Sequence, residues 1–401
     1  VEVAVHADIT DKDQTVYIPK VRTTAVNQAT NDHTASASPN TIITDTVSYS
    51  GLEVGKSYEV QGVLMNRKTQ KAIEVNGKQV TASATFTAKA SDGTVDLTFT
   101  FDASALSGVI LVAFETLYTQ GKEVAAHTDI NDEEQTIYFL GIRTTARDNV
   151  TGLNQMEATP NATLIDEVAY TALLPNKEYT LLGVLMNKET GRAVEVNGKQ
   201  VTATTTFTPQ TSDGTASVVF NFDASAVEGI TTVVYEYLSC NGNLLASHMD
   251  INDAGQTVYI PKIRTSAVST DTQDHVTKAA KEMHLVDTVS YTGLEVGREY
   301  KLQAVLMDRD TNKPVQVGGK NVTSSLTFTP EKTNGTVEVH FDFDGSSLTS
   351  NALVVFETMY TEGKEVAAHA DIHDEEQTIY IIGIKTHARD FNTQINHTES
   401  K

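Results

Sequence analysis

HADITDKDQTVYI (residues 6–18) returns as HTDINDEEQTIYF (127–139), HMDINDAGQTVYI (248–260) and HADIHDEEQTIYI (369–381). The step is 121 residues each time, from His6 to His127, His248 and His369. A second segment keeps the same step: VRTTA at 21–25, IRTTA at 142–146, IRTSA at 263–267 and IKTHA at 384–388. Self-similarity at a fixed period marks an array of like units. Three complete units fit, at 21–140, 141–260 and 261–382. Residues 1–20 then read as the C-terminal end of a preceding module and residues 383–401 as the start of a following one, so the chain is expected to be cut from a longer array. The units have no Pro-, Gly- or Ser-rich linker between them, so they are expected to abut.

Within a unit the pattern is that of strands. TVDLTFTF, ILVAFETLY and YEVQGVLM alternate or run apolar and are rich in β-branched and aromatic residues. Asn76-Gly77, between AIEV and KQVTA, is a hairpin signature, and it recurs as Asn197-Gly198 and Gly318-Gly319. LYTQGKEVAAH reads strand, glycine turn, strand, and DASAL or DASAV suits a short helical turn. Many short strands with frequent turns predict an all-β fold, tandem Ig-like antiparallel β-sandwich modules forming a stiff rod.

The chain has 401 residues, a net charge of −22 and a pI near 4.8. Such acidity disfavours nucleic acid and anionic membranes as partners. No apolar run is long enough to span a bilayer, and no signal peptide is read at Val1. The single cysteine, Cys240, has no partner for an intramolecular disulfide, so a secreted array of small β modules would need another staple.

Five polar residues recur in register: Thr23, Thr144 and Thr265; Asp45, Asp166 and Asp287; Glu115, Glu236 and Glu357; His127, His248 and His369; Gln135, Gln256 and Gln377. In Val21-Arg22-Thr23-Thr24-Ala25, period-two alternation puts Thr23 on the apolar face with Val21 and Ala25. Glu115 shares a face with Ala113 and Leu117, so each module buries an acid, which is costly without partners. His127 and Gln135 are too far apart along a straight strand to meet, but the polar DINDEE between them can turn. A threonine hydroxyl is a nucleophile once a base takes its proton, and histidine is the usual base near neutral pH. Two close buried carboxyls share one proton, and a protonated acid can polarise a glutamine carbonyl or assist departing ammonia. Those parts could make one ester per module. Plainer readings stay open: a core hydroxyl, a surface glutamine, a turn-capping histidine, a structural acid pair, or an oxygen-rich calcium loop without the glycine and spacing of an EF-hand.

The combination Val112-Ala113-Phe114-Glu115, HTDINDEEQT from His127 and Thr23 in VRTTA resembles the Thr–Gln ester-bond domains, or VaFE repeats, of Gram-positive surface adhesins. The third unit reads Val-Val-Phe-Glu at 354–357, and the second reads Val233-Val234-Tyr235-Glu236, with tyrosine for the usual phenylalanine. The resemblance implies a CnaB-like sandwich whose first and last strands are joined by autocatalytic esters: Thr23–Gln135, Thr144–Gln256 and Thr265–Gln377. It gives proton handling to the histidines and to the Asp and Glu sets, with no cofactor and no metal. It also implies a stalk on a bacterial cell wall whose partners are neighbouring modules, with host ligand bound elsewhere. One alternative is an array with Lys–Asn isopeptide bonds, for which Lys20 and Lys262 match but Gly141 does not. The other is a ligand-binding array without cross-links. An enzyme with turnover is not expected. Gln14 and Thr386 are expected to stay unreacted, with Val3/Val5 and Ile382/Ile384 lacking a full sandwich to cover them.

Overall fold

The computed structural model describes residues 4–383. Thr386, Val3, Ile384 and almost all of the 383–401 segment lie outside the described residues. The rest is built almost wholly of strands, in three tandem two-sheet sandwiches. In the first unit the strands are β1 (Lys20–Asn27), β2 (Thr34–Ala35), β3 (Thr41–Ser50), β4 (Ser57–Asn66), β5 (Lys71–Ala72), β6 (Glu74–Val75), β7 (Lys78–Gln79), β8 (Thr81–Thr87), β9 (Gly93–Phe101), β10 (Val109–Thr119), β11 (Lys122–His127) and β12 (Thr136–Phe139). One sheet runs β1-β3-β9. The other runs β2-β12-β10-β4-β5, with β8 on β4 and β11 on β10. All ladders of the unit are antiparallel except the short parallel pairing of β2 with β12.

Alternation of burial follows the sequence pattern. β1 buries Val21, Thr23, Ala25 and Asn27 and exposes the residues between them, apart from half-buried Val26. Val47, Leu97 and Phe99 of the first sheet meet Val60, Leu64, Leu111 and Phe139 of the second in one core. Each of the other units has such a core, the middle one also taking in Tyr138 and Leu140 from the end of the first. The expected hairpin at Asn76-Gly77 joins β6 to β7, with both residues in the left-handed region at φ 53° and 74°. The short helical turn forms in the middle unit, as a 3-10 turn over Ala224–Val227.

β1 and β12, the first and last strands, lie in different sheets and share no ladder. Only Leu140 separates β12 from the opening strand of the middle unit, Gly141–Asp148. Side chains also key neighbouring units together. Asp32 takes Lys177 Nζ at 2.5 Å. At the next junction, Tyr300 Oη donates to Gln155 Oε1 at 2.9 Å and Arg298 Nη2 donates to Asn154 Oδ1 at 2.9 Å. Gly108, at φ 77°, comes so close to Thr171 of the next unit that a Cβ would stand 2.4 Å from the hydroxyl oxygen.

Residues 4–19 form no strand. Val16 and Ile18 are exposed there, whereas their repeat counterparts Ile137 and Phe139 are fully buried, because no second sheet covers this segment.

Cores that meet only at the unit junctions imply largely separate stabilities. Phe220 is wholly buried in the middle unit. Phe220→Ala should lower that unit's stability by about 3–5 kcal/mol. Hydrogen exchange read by mass spectrometry should show faster exchange in residues 141–260 and unchanged protection in the distant strands of the other two.

Candidate cross-linking site

Thr23 lies inward on β1 at 5% exposure, and Gln135, just before β12, is fully buried. The polar segment before Gln135 turns because its own side chains cap it. Asp129 Oδ1 accepts from Asn131 N at 3.0 Å, Asp132 Oδ1 from Glu134 N at 2.9 Å, and Thr136 Oγ1 donates to Asp132 O at 2.7 Å. These carboxylates are occupied as turn caps. Among the described residues there is no cluster of three or more His, Cys, Asp or Glu arranged to hold a metal. The bend ends in a 3-10 turn, Glu133–Gln135, that delivers the amide to β1 across the sandwich.

There Gln135 Nε2 donates to Thr23 Oγ1 at 2.5 Å and also to Glu115 Oε2, which Thr23 Oγ1 reaches at 3.0 Å. In the third unit Gln377 Nε2 meets Thr265 Oγ1 and lies 2.6 Å from Glu357 Oε2, with Thr265 at 3.2 Å from the same oxygen. In the middle unit Gln256 Nε2 meets Thr144 Oγ1, but neither hydrogen-bonds Glu236. The carbonyl oxygens of Gln135, Gln256 and Gln377 are buried without a partner.

Asp45, Asp166 and Asp287 are fully buried, as are Glu115, Glu236 and Glu357. Asp45 pairs in register with Ala25, diagonal to Thr23 on the inner face. Neither carboxylate oxygen of Asp45 meets a hydrogen-bond donor of normal geometry, and the same holds for Asp166 and Asp287. The facing glutamic acid can supply one only if it carries a proton. Burial, and then the aspartate beside it, pushes Glu115 up to about 10, Glu236 up to about 9 and Glu357 well above the usual carboxylate range. Burial also raises Asp45, Asp166 and Asp287. Each pair therefore holds a proton at neutral pH.

His127 stands directly opposite Glu115 in the β10–β11 ladder, and His248 and His369 stand opposite Glu236 and Glu357. The histidine does not hydrogen-bond the threonine. Its Nε2 meets an aspartate five residues on, His127–Asp132 at 3.0 Å, His248–Asp253 at 2.8 Å and His369–Asp374 at 3.0 Å. Nδ1 of His127 and of His369 is buried and unpartnered. Sequence reasoning missed Asp132, Asp253 and Asp374. Their signal was there, since the aspartate also follows His6 as Asp11, but an aspartate within DINDEE reads as a turn former. Gln14 is exposed. Lys20 is exposed and Lys262 pairs with Glu228 at 2.5 Å, so neither sits in a buried site suited to an isopeptide bond.

A family model described as the T-Q ester bond containing domain matches residues 19–139, 140–260 and 261–381. No curated protein matches the chain in sequence. Among solved structures, a bacterial adhesin from Mobiluncus mulieris containing intramolecular disulfide, isopeptide and ester bond cross-links is 15% identical over 63% of this chain and 88% of its own, with a TM-score of 0.28. A second crystal form of it is 13% identical over 87% of this chain and 97% of its own, again at 0.28. The C-terminal domain of the Streptococcus pyogenes antigen I/II-family protein AspA is 9% identical over 57% of this chain and 98% of its own, at 0.29. Such low scores give these likenesses no weight for function.

The raised acids fix a pH dependence in a chain that cannot cross-link. In a Thr23→Ala/Thr144→Ala/Thr265→Ala chain the folded state keeps Glu115 protonated while the unfolded state ionises above its ordinary value of 4.5. The unfolded state then binds fewer protons, so stability falls as pH rises from there toward about 10. The slope is at most about 1.4 kcal/mol per pH unit for one group. Denaturant unfolding of the first unit should weaken from pH 5 to pH 8, and adding Glu115→Gln should remove most of that loss.

Proposed function

Because the chain belongs to the family of domains that contain a T-Q ester bond, we propose that each of its modules closes itself with one ester, joining Thr23 to Gln135, Thr144 to Gln256 and Thr265 to Gln377. The observation that carries this reading is the contact of an inward threonine hydroxyl with a buried glutamine amide beside a protonated acid pair, repeated in three units. Threonine Oγ1 attacks glutamine Cδ, the C–Nε2 bond breaks, and the hydroxyl proton leaves on nitrogen as part of ammonia. Glu115, whose Oε2 both the Thr23 hydroxyl and the Gln135 amide nitrogen reach, takes the hydroxyl proton and, with Asp45 behind it, returns one to the departing amine. His127, held by Asp132 on the inner face beside Glu115, biases where that proton sits. Each site reacts once, so the module is no turnover enzyme.

The bond ties the first strand of one sheet to the last strand of the other, and the last strand runs through one residue into the next module. Tension along the chain then passes from β1 to β12 through a covalent link and leaves the ladders unloaded. Closing a loop of 112 residues also stabilises by about 5 kcal/mol in the chain-entropy model. These properties suit a load-bearing stalk of an extracellular adhesin on a Gram-positive cell wall, with ligand recognition elsewhere in the protein.

Intact mass after reduction and denaturation should fall three ammonia units below the sequence mass. Thr144→Ala should restore one of them and leave the other two, because each site is self-contained. A mass equal to the sequence value would overturn the ester reading.

A further inference from the structure

The three sites are unequal. In the first unit Arg67, directly after β4, reaches Glu133 Oε1 with Nη2 at 2.9 Å, and Tyr138 Oη donates to Glu133 Oε2 at 2.5 Å. Glu133 lies two residues before Gln135, in the turn that carries it. The third unit repeats the clamp. Arg309 Nη2 reaches Glu375 Oε1 at 2.7 Å, Arg309 Nη1 donates to Tyr380 Oη at 2.9 Å, and Tyr380 Oη donates to Glu375. The middle unit has Lys188, Ala254 and Tyr259 at these positions. Its backbone is in the same place: Lys188 N bonds Thr231 O at 2.9 Å, as Arg67 N bonds Ile110 O at 3.0 Å. Lys188 Nζ instead donates to Thr257 Oγ1 at 3.2 Å, and with no acid at 254 the turn before Gln256 lacks this clamp. The same unit is the one in which Glu236 hydrogen-bonds neither Thr144 nor Gln256.

Resting on the ester reading above, we propose that Arg67 and Arg309 are positioning residues for cross-linking. Through Glu133 and Glu375 they hold the glutamine amide against the threonine and glutamic acid, and the middle unit, without them, closes more slowly. Residues 128–134 make no ladder of their own, so their geometry depends on caps, on the His127–Asp132 pair and on this clamp. Half-exposed ion pairs of this sort add little to stability. Their leverage is on rate, because small errors in placing reacting atoms are costly.

The test uses the full chain, purified unfolded and unreacted in denaturant, refolded by dilution and quenched in acid at intervals. Peptide mapping then gives the rate of ammonia loss in each unit. The first and third units should close about tenfold faster than the middle one. Arg67→Ala should slow the first unit to about the middle unit's rate and leave the third unchanged, with folding of the first unit, followed by hydrogen exchange, unaltered. Lys188→Arg/Ala254→Glu should speed the middle unit about tenfold, a gain that a merely structural role would not produce. Equal rates in all three units, or no acceleration by the double substitution, would overturn the proposal while leaving the ester reading intact. Absence of ammonia loss in every unit would overturn both.

Discussion

Each module buries two carboxyls against each other, and no lysine or arginine among the described residues pairs with either. Two negative charges cannot persist in that setting, so one acid keeps its proton at neutral pH. In the proposed reaction the pair relays the threonine hydroxyl proton to the departing amine, since hydroxyl and amide nitrogen meet the same Glu115 oxygen. Before reaction the pair is a liability to the fold, since it opposes the hydrophobic term wherever the unfolded chain can ionise. The proposed ester would offset that cost by closing most of the module into one loop.

The placement of the bond follows from the topology. β1 belongs to the three-stranded sheet and β12 to the larger one, so no backbone ladder connects the two strands that chain tension would pull. Without a cross-link they are held by side-chain packing across the core and by ladders to other strands. Next to the glutamine of the second and third units a backbone bond does reach across, from Ala146 N to Gly255 O and from Ala267 N to Glu376 O, both at 2.9 Å. The proposed ester would therefore join two strands that no ladder connects.

Much of this was legible in the sequence. The 121-residue step separated the units, and period-two alternation put Thr23 and Glu115 inside, as the structure places them. What remained hidden depends on long-range pairing. Alternation tells which face a residue takes but not which sheet its strand joins, so the separation of β1 from β12 could not be read. Asp132 passed as one more polar residue in a turn, although its carboxylate both caps that turn and holds His127. Arg67 lies 66 residues from Glu133, and only the fold brings them together. The substitution at Ala254 was visible as a break in the repeat, but without the clamp it had no evident meaning.

The most direct test of the central claim is to pull single chains by their ends. If each module is closed between its threonine and its glutamine, the described modules should bear load without releasing the 112-residue loop, whereas the chain with all three threonines replaced by alanine should unfold in three steps. Each of those steps should lengthen the chain by about 37–40 nm, set by the extended length per residue. Three such steps in the unaltered chain would show that no bond spans the sheets and would contradict the account.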